Sequence, residues 1–459
     1  MTTIATPVSL NKQTQFTASL TGPLFALPGG DFAVALGYEH RAESQDFDPG
    51  TFFYGADDPD PVTDSDGDGD PTSDRIGYGR ATPVLPVHGK FNTDEVSAEF
   101  LAPLISPDTG APIALLELKG AARYVDHSLA GGDWTWTLGG RLGIVRDLVI
   151  RGNFTRAIRA PAVTELFNPS SSYFGTATDP CDALQLGNGP APTIRAANCA
   201  AAGLPADFVS LSNSRTFLQA IEGNPDLANE KANSWTLGLV LEPRFAPRLR
   251  ASVDYVDIHL KDAISNAGAS SIVAACYDSA DYPEAADCAR FTRGPDGQLS
   301  FVEVQYLNLA DQRYKGLLCA LDYRAPLGDP ARSIGLNLSY QYIDELSTRA
   351  DAASERVQLD GMIGYARHQA LATLDYRSDA LGLFAQVQYI GKAQVNPQAA
   401  DDFYPDDLDR VPAIAFVNMG THVRVADRFT LRVAVDNVFD QQHPVPIRRP
   451  AAARPISAA

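Results

Sequence analysis

The sequence predicts an all-β fold, an antiparallel transmembrane β-barrel of roughly fifteen strands with long external loops. Three observations predict it. Apolar and polar side chains alternate with a period of two in segment after segment, which places one kind on each face of a strand. Short turns and long loops join the segments in alternation, the layout of barrels that keep tight turns on one rim and loops on the other. There is no run of roughly 18 apolar residues, and so no candidate transmembrane helix.

The strands follow in order. Phe32, Val34, Leu36 and Tyr38 alternate with Ala33, Ala35, Gly37 and Glu39. Leu116, Leu118, Gly120 and Ala122 alternate with Glu117, Lys119, Ala121 and Arg123. Trp134, Trp136 and Leu138 face away from Asp133, Thr135 and Thr137, and Leu148, Ile150 and Phe154 from Arg151, Asn153 and Thr155. Trp235, Leu237, Leu239 and Leu241 oppose Ser234, Thr236 and Gly238; a turn with Pro243 and Pro247 leads into Leu249, Ala251, Val253 and Tyr255. Leu317, Cys319, Leu321 and Tyr323 form the next row. Then come Ile334 to Tyr342, Leu383 to Tyr389 and Phe429 to Val435, each alternating with polar or small residues. One greasy and one polar face per strand suits a wall between lipid and water.

Short turns fall near 143–147, 242–248, 324–333, 377–381 and 426–427. Long segments fall at 42–90, 157–233, 261–300, 345–367 and 392–412. Tyr323, Tyr340, Tyr342, Tyr376 and Tyr389 sit near strand ends, where an interfacial aromatic girdle belongs.

The chain has 459 residues and a net charge of −19. That balance argues against a nucleic-acid partner, which requires a basic face. Residues 1–9 lack the basic start and apolar core of a signal peptide. Of five cysteines, Cys181 and Cys199 bracket one long segment and Cys276 and Cys288 another, with no CxxC and no neighbouring His to suggest metal. Paired loop cysteines fit disulfides in an oxidising compartment. Cys319 is expected to be a small apolar residue, buried or facing lipid.

Asp64, Asp66, Asp68 and Asp70, with Gly69, match the start of a calcium loop. Arg75 stands where the bidentate Glu belongs, with Asp74 as a substitute, and a solvated acidic loop is the competing reading. The seven histidines are scattered, without metal-ligand spacing. Neither a GxSxG elbow nor a phosphate-binding Gly loop occurs, so catalysis is not expected.

Three segments carry a family resemblance. Arg151 to Pro169 runs from a strand into a loop through Arg159-Ala160-Pro161 and Glu165-Leu166-Phe167. Gly223 to Gly238 re-enters a strand after Asn224, Pro225, Leu227 and Glu230. Asp436-Asn437 interrupts Val435 to Asp440. In this order and spacing, and with Ala35 to Arg41, they resemble the barrel of TonB-dependent outer-membrane receptors over most of 16–440. Physically these residues punctuate strands: Pro161 cannot donate to a ladder, Asn224-Pro225 initiates a turn, and Asn437 bonds its own backbone.

The resemblance implies a partial barrel, 1–440, of a larger receptor in the bacterial outer membrane. The implied activity is active uptake of a scarce nutrient such as a siderophore–iron complex, cobalamin or an oligosaccharide. The family's plug, through which TonB acts, has no counterpart in the sequence, nor does its last strand. The Pro-, Arg- and Ala-rich residues 441–459 are expected to be disordered, and the chain to be a fragment. Ligand contacts are expected within 157–233 and 261–300. A passive pore and a soluble secreted β-protein with binding loops are the alternatives.

Overall fold

A computed structural model describes residues 6–50, 84–350, 356–395, 409–425 and 428–442. The sequence reading of Asp64, Asp66, Asp68 and Asp70 as calcium ligands, and most of the tail 441–459, lie outside the described residues.

One sheet of 18 strands dominates. Its wall is built from β1 (Val8–Leu27), β2 (Gly30–Asp48), β3 (Val87–Ile105), β4 (Leu115–His127), β5 (Gly131–Val145) and β6 (Leu148–Arg159). The short β7 (Ser171–Gly175) and β8 (Phe217–Glu222) belong to a loop; β9 (Glu230–Leu241) and β10 (Leu249–Asn266) resume the wall. After β11 (Phe291–Arg293) follow β12 (Leu299–Leu327), β13 (Asp329–Arg349), β14 (Val357–Gln358), β15 (His368–Arg377) and β16 (Leu381–Ile390). A separate pair, β17 (Ala393–Gln394) and β18 (Arg410–Val411), precedes β19 (Ile414–Val425) and β20 (Phe429–Val435). The long strands pair antiparallel with their wall neighbours in chain order.

The register keeps each face continuous. Leu237, Tyr255, Leu317 and Tyr342 lie side by side on one face, as do Ile334, Tyr376, Leu383 and Thr421. Among the described residues no second layer covers this face: Trp235 and Leu237 are each 61% exposed. Burying such side chains against water-free surroundings stabilises by roughly 25 cal/mol per Å², and here hydrocarbon is the only medium that supplies them. Cys319 lies on this face between Val253 and Tyr340. Tyr323 and Tyr376 mark its turn side, and Tyr340, Tyr342 and Tyr389 its loop side. Ring contacts join Tyr124 to Trp134, Trp136 to Phe154, and Phe154 to Trp235, a belt of the kind found at a membrane boundary.

Some elements differ from the sequence reading. The wall strands are longer than the loops left room for: β12 and β13 meet at Gly328, which has φ +74°, so the 324–333 turn shrinks to a hairpin. A tight turn at 128–130 sits on the long-loop side. The ring of His127 makes it: its Nδ1 accepts hydrogen bonds from the Leu129 and Ala130 N–H groups at 3.2 and 3.0 Å. The segments 160–229 and 267–298 are not irregular. They contain α1 (Val163–Phe167), α2 (Pro192–Ala201) and α3 (Ala269–Asp278) and a parallel pairing of β8 with β12. The largest buried core lies here, around Phe208, Phe217, Ile272, Val273, Val302 and Val304.

Among the described residues nothing pairs with the outer edges of β1 and β20. If the apolar face meets lipid, Leu237→Arg should cost about 2–4 kcal/mol near the bilayer centre. Thr236→Arg, on the other face, should cost far less. Heat-modifiable migration of membrane-extracted protein measures both.

Candidate ligand-binding site at the polar wall and loop domain

The other face of the wall is polar and cross-linked. Arg123 pairs with Glu95 at 2.8 Å, and Thr137 bonds Asn153 and Thr155 at 2.9 and 2.8 Å. Two Arg–Asp pairs of the wall skip a strand. Arg151 reaches Asp254 at 2.7 Å across β9, where Gly238 stands between them in register. Arg324 reaches Asp375 at 3.1 Å across Gly335 of β13. A Cβ at either glycine would collide with its pair's carboxylate, so the missing side chain is what lets each pair close. A recess of about 370 Å³ opens on this face beside Arg41, Glu95, Glu99, Arg123 and Thr155. Such a surface offers hydrogen-bond donors and both signs of charge to a hydrophilic solute.

At one rim of the wall the two long segments fold together. Cys181 is bonded to Cys199 across 18 residues and Cys276 to Cys288 across 12. Between them Arg293 holds Asp179 through two bonds of 2.7 and 2.8 Å and donates to the Tyr277 hydroxyl at 2.9 Å. The Asp179 side chain is 0% exposed; Arg293 balances its charge, and its oxygens also accept from the Ser210 hydroxyl at 2.9 Å and the Cys181 N–H at 3.0 Å. Burial works against the Arg293 charge, but Asp179 outweighs it and the guanidinium pKa is raised. Burial also raises the Tyr277 pKa, with Arg293 opposing. A second fork joins Arg195 to Asp278 at 2.7 and 2.6 Å, pinning α2 to α3. A cavity of about 710 Å³ lies beside this fork, with Thr178, Gln185, Ser270, Ser271 and Leu309 in its walls. Most of its walls come from 157–233 and 261–300, and Leu309 of β12 lies beyond them.

The family-like residues gather where wall meets loop domain. Arg159 bonds Glu230 at 2.6 and 2.7 Å and Glu165 at 2.8 and 2.9 Å. Glu165 accepts from the Ala162 N–H at 2.7 Å, next to Pro161 at the strand end. Glu230 accepts from the Ile264 N–H at 2.7 Å. Leu166 and Leu227 pack with Phe91 in a buried cluster, and Phe167 rests against it. The Asn224 side chain donates to the Tyr306 carbonyl at 2.8 Å and accepts from the Asp226 N–H at 2.9 Å, fixing the turn at Pro225. Asp436 and Asn437 lie apart, beyond β20: Asn437 has φ +51° and donates its N–H to Asn418 at 2.9 Å. Sequence reasoning missed Asp179, Arg195, Asp278 and Arg293. Their one local signal is position, since Asp179 and Asp278 each lie two residues from a bridged cysteine.

A barrel wall with a greasy and a polar face, knotted at Arg159, is matched by the family model for the TonB-dependent receptor-like β-barrel over residues 4–438. The chain belongs to the TonB-dependent receptor β-barrel family. Solved structures with the same fold include the ferric enterobactin receptor of Pseudomonas aeruginosa, at 15% identity and TM-score 0.58, covering 94% of this chain and 49% of that one. The siderophore receptor PirA of Acinetobacter baumannii matches at 16% identity and TM-score 0.57, covering 95% and 51%. The FpvAI–pyocin S2 complex matches at 13% identity and TM-score 0.52, covering 95% and 44%. The chain thus spans about half the length of these structures. The comparison with curated proteins returns no match. The membrane-barrel fold class read from the alternating strands is the fold of this TonB-dependent receptor barrel.

Asp179→Ala should destabilise the loop domain of the barrel by about 3–5 kcal/mol, since it leaves Arg293 buried without its partner. Amide exchange in α2 and α3 should rise while the wall strands stay protected.

Glu222, on β8, has its pKa raised, first by burial and then by the neighbouring Glu303. A carboxyl raised on folding contributes stability that is complete below its unfolded pKa and is lost as pH rises through its folded pKa. The loop domain should therefore stabilise on mild acidification from neutral pH, and Glu222→Gln should flatten that response in pH-dependent thermal melts.

Proposed function

We propose that this chain forms wall and external loops of an outer-membrane receptor for energised uptake of a scarce nutrient. The carrying observation is the pairing of a polar, ion-bridged wall with a disulfide-bonded loop domain at its rim. A pore for free diffusion has no use for a folded rim domain holding a cavity of about 710 Å³. Siderophore–iron complexes lead the substrate classes, because similarly folded proteins include receptors titled for ferric enterobactin and siderophores. Cobalamin and oligosaccharides follow. Ligand is captured first between α2 and α3 and then by the polar wall, with coupling to the TonB system through a plug. Both disulfides form in the oxidising space where the loops fold. Among the described residues the outer edges of β1 and β20 have no partner, and backbone edges in lipid need one.

Titration of the membrane-extracted protein with ferric siderophores, cobalamin and oligosaccharides should give saturable binding to one class. Uptake of that ligand in cells should stop when the proton-motive force is collapsed. Absence of binding to every class, or large ungated conductance steps in planar bilayers, would overturn the receptor reading.

A further inference from the structure

The cavity between α2 and α3 has three charged residues in its walls: Arg195, Asp278 and Asp287. Arg195 is already committed. Its Nε and one Nη donate to Asp278 at 2.7 and 2.6 Å, and the other Nη donates to the Gln185 carbonyl at 2.9 Å. The Arg195 side chain is 6% exposed, and Gly189 packs so close that a Cβ there would collide with the guanidinium. An incoming anion would have to displace a formed carboxylate fork to reach this cation. Asp287 adds a second carboxylate, with Arg290 at 4.0 Å. The lining thus holds more negative than positive charge.

The helix ends do not reverse that sign. α3 runs along the cavity, with Ser270 and Ser271 from its first turn and Asp278 from its last in the walls. The partial positive charge of one end is therefore offset by the partial negative charge of the other. The surroundings repeat the pattern. Segments 157–233 and 261–300 hold 13 acidic residues against seven Lys and Arg. Of those seven, Arg159, Arg195, Lys231, Arg290 and Arg293 lie within ion-pair reach of a carboxylate. Arg215 and Lys261 have no ion pair among the described residues, and neither lines the cavity. A surplus of one sign around a cleft repels solutes of that sign. What the cavity offers instead is uncharged: hydroxyls of Ser271 and Ser279, the amide of Gln185, and the apolar Leu307 and Leu309. Its volume of about 710 Å³ suits a ligand of small-molecule size.

We propose that this cavity selects by charge: it takes nutrients without net negative charge, such as a neutral ferric trihydroxamate, and refuses anionic ones, such as a ferric tris-catecholate. Three hydroxamates balance the ferric ion, whereas three catecholates leave a trianion. The proposal rests on the receptor reading above and narrows its substrate class.

The full chain, extracted from its membrane in mild detergent, is titrated with a ferric trihydroxamate, a ferric tris-catecholate, cobalamin, and a neutral and an acidic oligosaccharide. One of the uncharged probes should bind with an affinity that salt leaves unchanged, and which one it is names the source. The tris-catecholate should bind at least about a hundredfold more weakly, and improve as salt screens the repulsion. Ala275→Lys places a cation at an exposed position of α3 in the cavity wall and should tighten tris-catecholate binding at least about tenfold. Ala275→Gln, long but uncharged, should leave the order of affinities as it is in the wild type. Tighter binding of the tris-catecholate or the acidic oligosaccharide than of every uncharged probe would overturn the charge selection and leave the receptor reading standing. An equal response of the tris-catecholate to both variants would do the same. Binding to no probe would remove the receptor reading, and the charge selection with it.

Discussion

Backbone polar groups have no water to bond in hydrocarbon, and everything else in this chain follows from meeting that demand with strands. A strand satisfies its backbone only through neighbours, so the sequence must repeat a pairing rule from β1 to β20. Because side chains alternate, one slip of register would turn a whole greasy row inward. The wall guards its register from the polar side. Arg151 and Asp254 bond across β9, and Arg324 and Asp375 across β13. Each bond is open only when Gly238 or Gly335 is the residue in between, so a shifted strand loses the pair.

The wall and the loop domain are stabilised by different means. The wall has little buried core of its own, and Leu237 or Trp235 gains nothing until lipid covers it. The loop domain stands in water and is built like a small secreted domain, with two disulfides and a compact core around Ile272, Val273 and Val302. Its buried charges are paired as forks, Arg293 with Asp179 and Arg195 with Asp278. The Arg159 knot ties the two regimes together, since Glu165 comes from α1 and Glu230 from the start of β9.

Legibility in the sequence tracks how local the determining physics is. The strand faces were plain because a period of two needs only a few residues to declare itself, as in Trp235, Leu237 and Leu239 against Ser234, Thr236 and Gly238. The Pro161 and Asn437 strand ends were plain because they act on their own backbone. The hairpin at 128–130 was not, since it depends on His127 turning its ring back onto the following N–H groups. Nor were α2 and α3 recognised: they are short, and each buries its apolar side in a core drawn from both long segments.

The sequence by itself determined the membrane-facing alternation, the order of turns and loops, and the family, because these are written in spacing along the chain. Only the tertiary structure decided that Arg159 meets Glu230 at a separation of 71 residues and Arg293 meets Asp179 at 114. It alone showed that the loops share one core. Those facts depend on which strands become neighbours, and pairing across long loops is a property of the closed set of registers that no single segment contains.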